Sequence, residues 1–150
     1  MVSVALLSER ALKSFSEGYN CSQSVLLTFA EHWKCKDESI PKIATCFGAG
    51  IGRCGSLCGA LTGGLMVIGM KYGTNEASME KRLDAYELAK EFYERFKKKH
   101  GSVMCRELID FDLSDPEQRE KARLEGVHDK KCTVFIKNAV EILASLTEIS

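Results

Sequence analysis

The chain has 150 residues, the size of one ordinary domain, and 45% of them are hydrophobic against 28% charged, which predicts a packed core. Its formal net charge is zero, so the composition lacks the basic bias typical of nucleic-acid binding. The N-terminus has neither the basic region nor the full apolar run of a secretory signal, and we therefore expect a cytoplasmic protein.

The first two helices are predicted from apolar periodicity and from capping residues. Apolar residues at helical spacing indicate a helix over Ser3–Glu17, which Gly18 ends. Asn20 is a favourable N-cap, and Gln23 stands three residues later as its capping-box partner. A second helix is therefore predicted over about Cys21–Trp33.

A polar connection, Lys34–Ser39, separates this helix from a third one. The third helix is predicted to begin near Ser39, with Pro41 in its first turn, where the missing N–H costs little. It is expected to end at Phe47 or Gly48.

The stretch that organises the chain is a glycine-rich loop, Gly48–Gly55, followed by an uncharged helix over roughly Ser56–Tyr72. A glycine disfavours a helix by about 1 kcal/mol relative to alanine, so these glycines need a reason in packing or in a site. Gly59 and Gly63 would form a smooth face that another helix backbone can approach closely. The uncharged run of 17 residues, Cys54–Met70, contains several glycines. It therefore predicts a central buried helix rather than a membrane span.

The second half of the chain predicts three longer helices and one short one. A helix over Ala77–His100 ends at Gly101, and Cys105–Leu108 forms a short helical piece. Ser114–Glu117 is a strong helix start, and the last helix covers about Asp129–Leu146. The residues expected to be buried are Met79, Leu83, Tyr86, Phe92 or Tyr93 and Phe96 in the first of these helices, and Cys132, Phe135, Ile136, Ala139, Leu143 and Leu146 in the last.

One motif could suggest a different fold. Gly50–Gly55 reads G-x-G-x-x-G before a helix, but a dinucleotide site also requires a strand on either side. A helix is predicted directly after Tyr72, and no segment shows sustained strand alternation. We therefore predict a single all-α domain over residues 1–150, a compact bundle of six to eight helices around the glycine-rich helix.

Four of the seven cysteines lie where helices begin, and they are Cys21, Cys58, Cys105 and Cys132. The amides and dipole at a helix N-terminus favour a thiolate over a thiol. Thiolates bind metals and attack disulfides, although a buried cysteine can also serve as a small hydrophobe. Seven cysteines in a cytoplasmic chain favour metal or redox chemistry over structural disulfides. We expect these four to lie close together at one site.

The remaining cysteines and one histidine give weaker signals. We expect Cys35 to be exposed, Cys46 to pack on the third helix, and Cys54 to be able to assist at the site from one helical turn before the central cysteine. His128 stands four residues before the last cysteine, which would suit a mixed Cys/His zinc site. A solvated position at the start of the last helix is the favoured interpretation.

The chain resembles a family of redox-active proteins named for its cysteine signature, C_GCAxxG_C_C. The central motif reads Cys58–Gly63 here, as C-G-A-L-T-G, and the upstream cysteine matches Cys21 in Y-N-C-S-Q-S-V. The two downstream cysteines match Cys105 in C-R-E-L and Cys132 in the final helix. The resemblance covers nearly the whole chain and implies redox activity and a relationship to a domain of split-Soret cytochromes. It does not imply haem attachment here, because no C-x-x-C-H occurs.

We therefore predict a redox or electron-transfer protein whose catalytic, cofactor-binding and metal-binding residues are Cys21, Cys58, Cys105 and Cys132, with Gly59 beside the cofactor. Two mechanisms stay open, an iron–sulfur cluster on the four thiolates, or dithiol/disulfide exchange with Cys58 as the activated thiolate. The alternative is a structural zinc or other metal-binding module without turnover. The expected partner is a redox protein that the sequence does not identify, a homodimer stays open, and neither nucleic acid nor a membrane span is expected.

Overall fold

The computed structural model describes residues 2–149, and within them it confirms the predicted all-α bundle. The one β-type contact in this part of the chain is an isolated antiparallel bridge between Leu57 and Met104. None of the described helices is long and apolar enough to cross a membrane. In chain order the elements are α1 (Val4–Ser16), α2 (Cys21–His32), a 3-10 helix (Lys42–Phe47), α3 (Gly48–Ile51, a single turn with left-handed backbone at Ala49, Gly50 and Ile51), α4 (Gly59–Tyr72), α5 (Met79–His100), α6 (Cys105–Ile109), α7 (Pro116–Leu124), a π-helical turn (His128–Cys132) and α8 (Thr133–Leu146).

The glycine-rich helix α4 is the centre of the bundle, as predicted. It packs against α2, α5 and α8, while α1 packs against α2 and α8. Residues 59–64 of α4 are all buried. The largest side chains of the surrounding core are Phe29, Phe92 and Phe96, which are fully buried.

Two glycines of α4 explain how closely α2 approaches it. A Cβ atom on Gly63 would lie 2.5 Å from the backbone oxygen of Ser22, and one on Gly59 would lie 2.9 Å from the Cβ of Cys21. Real Cβ atoms do not approach other atoms so closely. The predicted smooth glycine face is therefore confirmed, and it presses the start of α2 against the start of α4.

The helix boundaries that depend on local signals are also confirmed. The side-chain oxygen of Asn20 accepts the Gln23 N–H at 2.9 Å, and Gln23 accepts the Asn20 N–H in return, which completes the capping box. Gly18 follows α1 with a φ of +109°. Asp115 caps α7, and Pro116 occupies its first position.

Two of the boundaries that differ from the prediction adjoin the glycine-rich loop. The third helix is a 3-10 helix, Lys42–Phe47, and Pro41 precedes it rather than occupying its first turn. This tighter form is common in connectors, and here it leads directly into the turn of the glycine-rich loop. Helix α4 begins at Gly59 rather than Ser56, because the preceding residues pair with the segment before α6.

The apolar stripe predicted for α5 is buried only in its second half, at Phe92 and Phe96. In the first half, the partly buried residues packed against the core are Ala85 and Leu88. Apolar spacing of three and four fits several adjacent stripes of one helix, so the prediction chose the wrong stripe there. The exposed members are Met79, Leu83 and Tyr86, at 64%, 49% and 56%.

The helix contact at Gly63 yields a stability prediction. We expect Gly63→Ala to lower the free energy of unfolding by about 1–3 kcal/mol, because its methyl group would collide with the backbone of α2. Gly69→Ala is the matched control on the same helix, because a Cβ there would meet nothing within 4 Å. Gly69→Ala should stabilise the protein by up to about 1 kcal/mol through helix propensity. Urea unfolding of both variants checks the difference, and equal effects would contradict the close approach.

Candidate four-cysteine site

The structure places all four predicted cysteines on the wall of one cavity of about 420 Å³. Gly59 lines the same cavity. Cys58, Cys105 and Cys132 are buried, and Cys21 is partly buried. Side chains separated by more than a hundred positions in sequence are thus neighbours in space. The cysteines in question are Cys21, Cys58, Cys105 and Cys132.

Cys21 and Cys58 meet because two helix starts are pressed together. Cys21 is the first residue of α2. Cys58 is the N-cap of α4, with φ −56° and ψ 134°, and so stands one position before the first turn in which it was predicted. The side chain of Cys21 packs over Gly59, where a larger residue would displace it.

Cys105 reaches the cavity through a short antiparallel pairing of two loop segments. The Cys58 N–H donates to the Val103 carbonyl at 2.8 Å, and the Cys105 N–H donates to the Ser56 carbonyl at 2.7 Å. The backbone on both sides of the Leu57–Met104 bridge is therefore fixed, and it holds these two cysteines at neighbouring positions.

Cys132 ends the π-helical turn that precedes α8. The Nδ1 atom of His128, at the start of this turn, lies 3.4 Å from the Cys132 sulfur. The His128 ring also stands edge-on to Phe15, with ring centroids 6.4 Å apart. The π turn is a rare element that often occurs at functional sites. Here it sets the rotational position of Cys132 at the cavity, with His128 beside it.

The glycine-rich loop forms a further wall of the cavity through left-handed backbone. Residues 49–53 have consecutive φ values of 55°, 67°, 67°, 55° and 71°, and three of them are not glycine. For such residues this conformation costs about 1–2 kcal/mol each. Gly50 is essential to the arrangement, because a Cβ atom there would lie 2.7 Å from the Cβ of Cys105.

Burial controls the ionisation of the cavity thiols. It raises the pKa of Cys58, with a further increase from the neighbouring Cys21, although the N–H groups of Ala60 and Leu61 act in the opposite direction. Burial and the charge of Cys21 raise the pKa of Cys105 to about 11. The pKa of Cys21 is raised by its hydrogen-bonding contact with the Cys132 thiol and by burial.

The prediction that helix starts lower the pKa of these thiols was therefore wrong for Cys21, Cys58 and Cys105. The amides at the start of α4 do favour the thiolate of Cys58, but desolvation in an apolar cavity outweighs them. The thiols are consequently protonated at neutral pH. At a pKa of about 11, roughly one Cys105 in ten thousand is a thiolate at pH 7.

The other three cysteines lie outside the cavity. Cys35 is exposed, as predicted, whereas Cys46 is exposed on the 3-10 helix rather than packed against it. Cys54 is exposed and does not line the cavity, so the structure gives no support for its assisting there. Across residues 2–149, no three potential metal-ligating side chains are close enough together to hold a single ion.

The cavity wall also contains residues that the sequence analysis did not single out. Phe15, Leu113 and Phe135 make much of it apolar, and Arg53 and Asp129 provide charges. Arg53 could have been predicted as a site residue from the sequence, because a charged residue inside a glycine-rich loop is a candidate for ligand binding. The apolar residues come from separate helices and loops and carry no such signal.

The burial pattern predicts two classes of thiol in the reduced, metal-free protein. We expect Cys35, Cys46 and Cys54 to react rapidly with an alkylating reagent at neutral pH, and the four cavity cysteines to react much more slowly. Mass spectrometry of peptides after timed alkylation measures each rate, and all seven cysteines should react alike in guanidinium chloride. A cavity cysteine in the rapid class would contradict this structure.

The raised pKa values also predict a pH dependence of stability. Unfolded cysteines ionise from about pH 8.5 upward, whereas folded Cys105 keeps its proton up to about pH 11. Its contribution to stability is therefore complete below about pH 8.5 and is lost as the pH rises to about 11. The loss is about 3 kcal/mol for this residue, since each pKa unit corresponds to about 1.4 kcal/mol. Cys105→Ala should lower the slope of unfolding free energy against pH in this range, and the exposed control Cys35→Ala should leave it unchanged.

Comparison with known proteins agrees with this arrangement. The sequence profile of a family described as "Putative redox-active protein (C_GCAxxG_C_C)" matches residues 19–146, a range that contains all four cavity cysteines. A protein of Archaeoglobus fulgidus, described as "Uncharacterized protein", is 28% identical over 145 residues, which cover 91% of this chain and 89% of that one. No solved structure gives a significant match. Since the family profile spans most of its length, the chain belongs to this C_GCAxxG_C_C family.

Proposed function

We propose that this chain is an electron-transfer protein that binds an iron–sulfur cluster through Cys21, Cys58, Cys105 and Cys132. The observation that carries the proposal is the presence of four thiols on the wall of one cavity. Membership of a family described as redox-active supports the general class of function. When bound, such a cluster supplies reversible electron transfer at a potential set by its surroundings.

The donor set of the cavity fits a cluster. Four cysteine thiolates are the usual ligands of both [2Fe–2S] and [4Fe–4S] clusters. In a tetrahedral zinc site the four sulfur atoms close around one ion at about 2.3 Å, which leaves no open space between them. A cavity of about 420 Å³ among the four thiols is better suited to a larger group.

Thiol ionisation gives a second argument for metal binding. Burial keeps the Cys58 and Cys105 thiols protonated, so they are poor nucleophiles toward an external disulfide at neutral pH. A coordinating metal removes the proton from a thiol outright. The same burial then protects the bound group from solvent, and the amides at the start of α4 favour the resulting negative charge.

A dithiol mechanism is the second candidate, and one pair of cavity thiols favours it. Cys21 and Cys132 lie on the wall of the same cavity, and the Cys132 thiol is the main cause of the raised pKa of Cys21, so this pair is a candidate for a reversible disulfide. His128 lies beside Cys132 and could accept the proton that the thiol releases. In this mechanism Cys132, rather than Cys58, would be the attacking thiol.

Anaerobic purification followed by absorption spectroscopy and metal analysis tests the proposal. We expect a coloured protein with bound iron and sulfide, and we expect Cys58→Ser to lose iron and colour together, because a thiolate ligand is removed. The matched control is Cys35→Ser, at an exposed cysteine, which should keep both. Circular dichroism and a second variant, Cys58→Ala, separate ligand loss from a failure to fold.

The other outcomes identify the alternatives. A colourless wild type with a reversible two-electron couple and a Cys21–Cys132 disulfide in peptide mapping would replace the cluster by the dithiol mechanism. A colourless, redox-silent protein that chelators destabilise would indicate structural zinc. Wild-type protein without metal and with unreactive cavity thiols under anaerobic conditions would defeat the redox proposal.

A further inference from the structure

A second, outer cavity of about 330 Å³ adjoins the cysteine cavity. The two cavities share four wall residues, Ala49, Arg53, Leu113 and His128. The outer cavity adds three charged residues from α7, which are Arg119, Glu120 and Arg123. A small molecule in the outer cavity would therefore lie against the wall of the cavity that holds the thiols.

The outer cavity is positively charged, although the whole chain has a net charge of zero. Arg123 and Glu120 form a bidentate ion pair, so their two charges cancel. Among residues 2–149, neither Arg53 nor Arg119 has a carboxylate within salt-bridge distance. Arg119 donates one hydrogen bond, from Nη1 to the Leu113 carbonyl at 3.0 Å, and its remaining donors are available.

Arg53 is held at the shared wall by strained backbone. It ends the left-handed run with a φ of +71°, a conformation that favours glycine. Because residues 49–53 are all left-handed, the loop cannot relax at Arg53 without changing the wall that contacts Cys105. The fold thus keeps Arg53, an exposed residue with no carboxylate partner among residues 2–149, on the wall that the two cavities share.

We infer that the outer cavity binds a small anionic thiol, with its carboxylate or phosphate group on Arg53 and Arg119 and its sulfur directed toward the four cysteines. Guanidinium groups bind both kinds of oxyanion through paired hydrogen bonds. The inner cavity is lined by thiols and by apolar residues such as Leu113 and Phe135, which suit a soft, weakly hydrated sulfur atom. The inference rests on the proposed function only in that it takes the cysteine cavity as the reactive centre.

Two matched pairs of probes test this inference by isothermal titration calorimetry. Mercaptosuccinate and succinate differ by the thiol, and phosphopantetheine and pantetheine differ by the phosphate. We expect at least one anionic thiol to bind about tenfold or more tightly than its partner that lacks the thiol or the charge. The anionic thiol that binds shows whether the site takes a carboxylate or a phosphate group. Raising the salt concentration from 50 to 500 mM should weaken that binding.

Substitutions locate the binding site. Arg53→Gln should weaken binding of the anionic thiol about tenfold, and adding Arg119→Gln should bring the loss to about a hundredfold, because each removes charge-assisted hydrogen bonds. The control is Arg95→Gln, since Arg95 lies on α5 and is already paired with Glu91. Arg53 makes no hydrogen bond to the described part of the chain, so Arg53→Gln should keep the wild-type circular dichroism and melting temperature.

Several results would overturn the inference. They are failure of both anionic thiols to bind, equal binding of probe and matched partner in both pairs, and equal binding by wild type and the double variant. Iron content is measured in the same preparations, which keeps the two proposals distinct. Protein that carries iron but binds neither anionic thiol would overturn this inference alone. Protein that binds an anionic thiol but has neither metal nor reactive cavity thiols would overturn the proposed function alone.

Discussion

The close approach of α2 to α4 is the constraint on which the rest of the structure depends. Gly63 allows the α2 backbone at Ser22 to lie against α4, and Gly59 allows the Cys21 side chain to lie beside the start of α4. Without these two glycines the helix starts would separate and Cys21 would move away from Cys58. Glycine lowers helix stability by about 1 kcal/mol at each position. The packing of α2 against α4 offsets this cost and also brings Cys21 to the site.

The same packing explains why the helix starts do not lower the pKa of the Cys21, Cys58 and Cys105 thiols. Four thiols that share a small, mostly apolar cavity cannot all ionise, because each thiolate would be poorly solvated and would repel the others. Protonation of Cys21, Cys58 and Cys105 is thus a direct consequence of their convergence. A metal centre resolves this conflict by replacing the protons with positive charge.

The four-cysteine cavity and the glycine face of α4 were predicted from the sequence, although both depend on distant residues. Among the other features, those controlled by neighbouring residues were the easier to predict. The capping box of Asn20 and Gln23 acts over three residues, and its geometry is present as predicted. The π turn before Cys132 and the exposure of Cys46 depend on contacts made after the helices have docked. The direction in which the Cys58 pKa shifts was predicted wrongly for the same reason. The effect of the helix start is local in sequence, whereas desolvation depends on the residues that pack around the thiol.

The strained backbone of the glycine-rich loop places wall residues of both cavities. Ala49, Ile51 and Arg53 adopt left-handed backbone, for a combined cost of about 3–6 kcal/mol. Two hydrogen bonds tie the run to the flanking chain, because the Gly52 N–H donates to the Cys46 carbonyl at 3.0 Å and the Ser56 N–H donates to the Gly50 carbonyl at 2.9 Å. A relaxed, right-handed turn would carry the chain in a different direction and displace Ala49 and Arg53, which lie on the wall that the two cavities share. The strain is therefore tied to the site rather than to the stability of the bundle, in keeping with the tendency of strained backbone to cluster at functional sites.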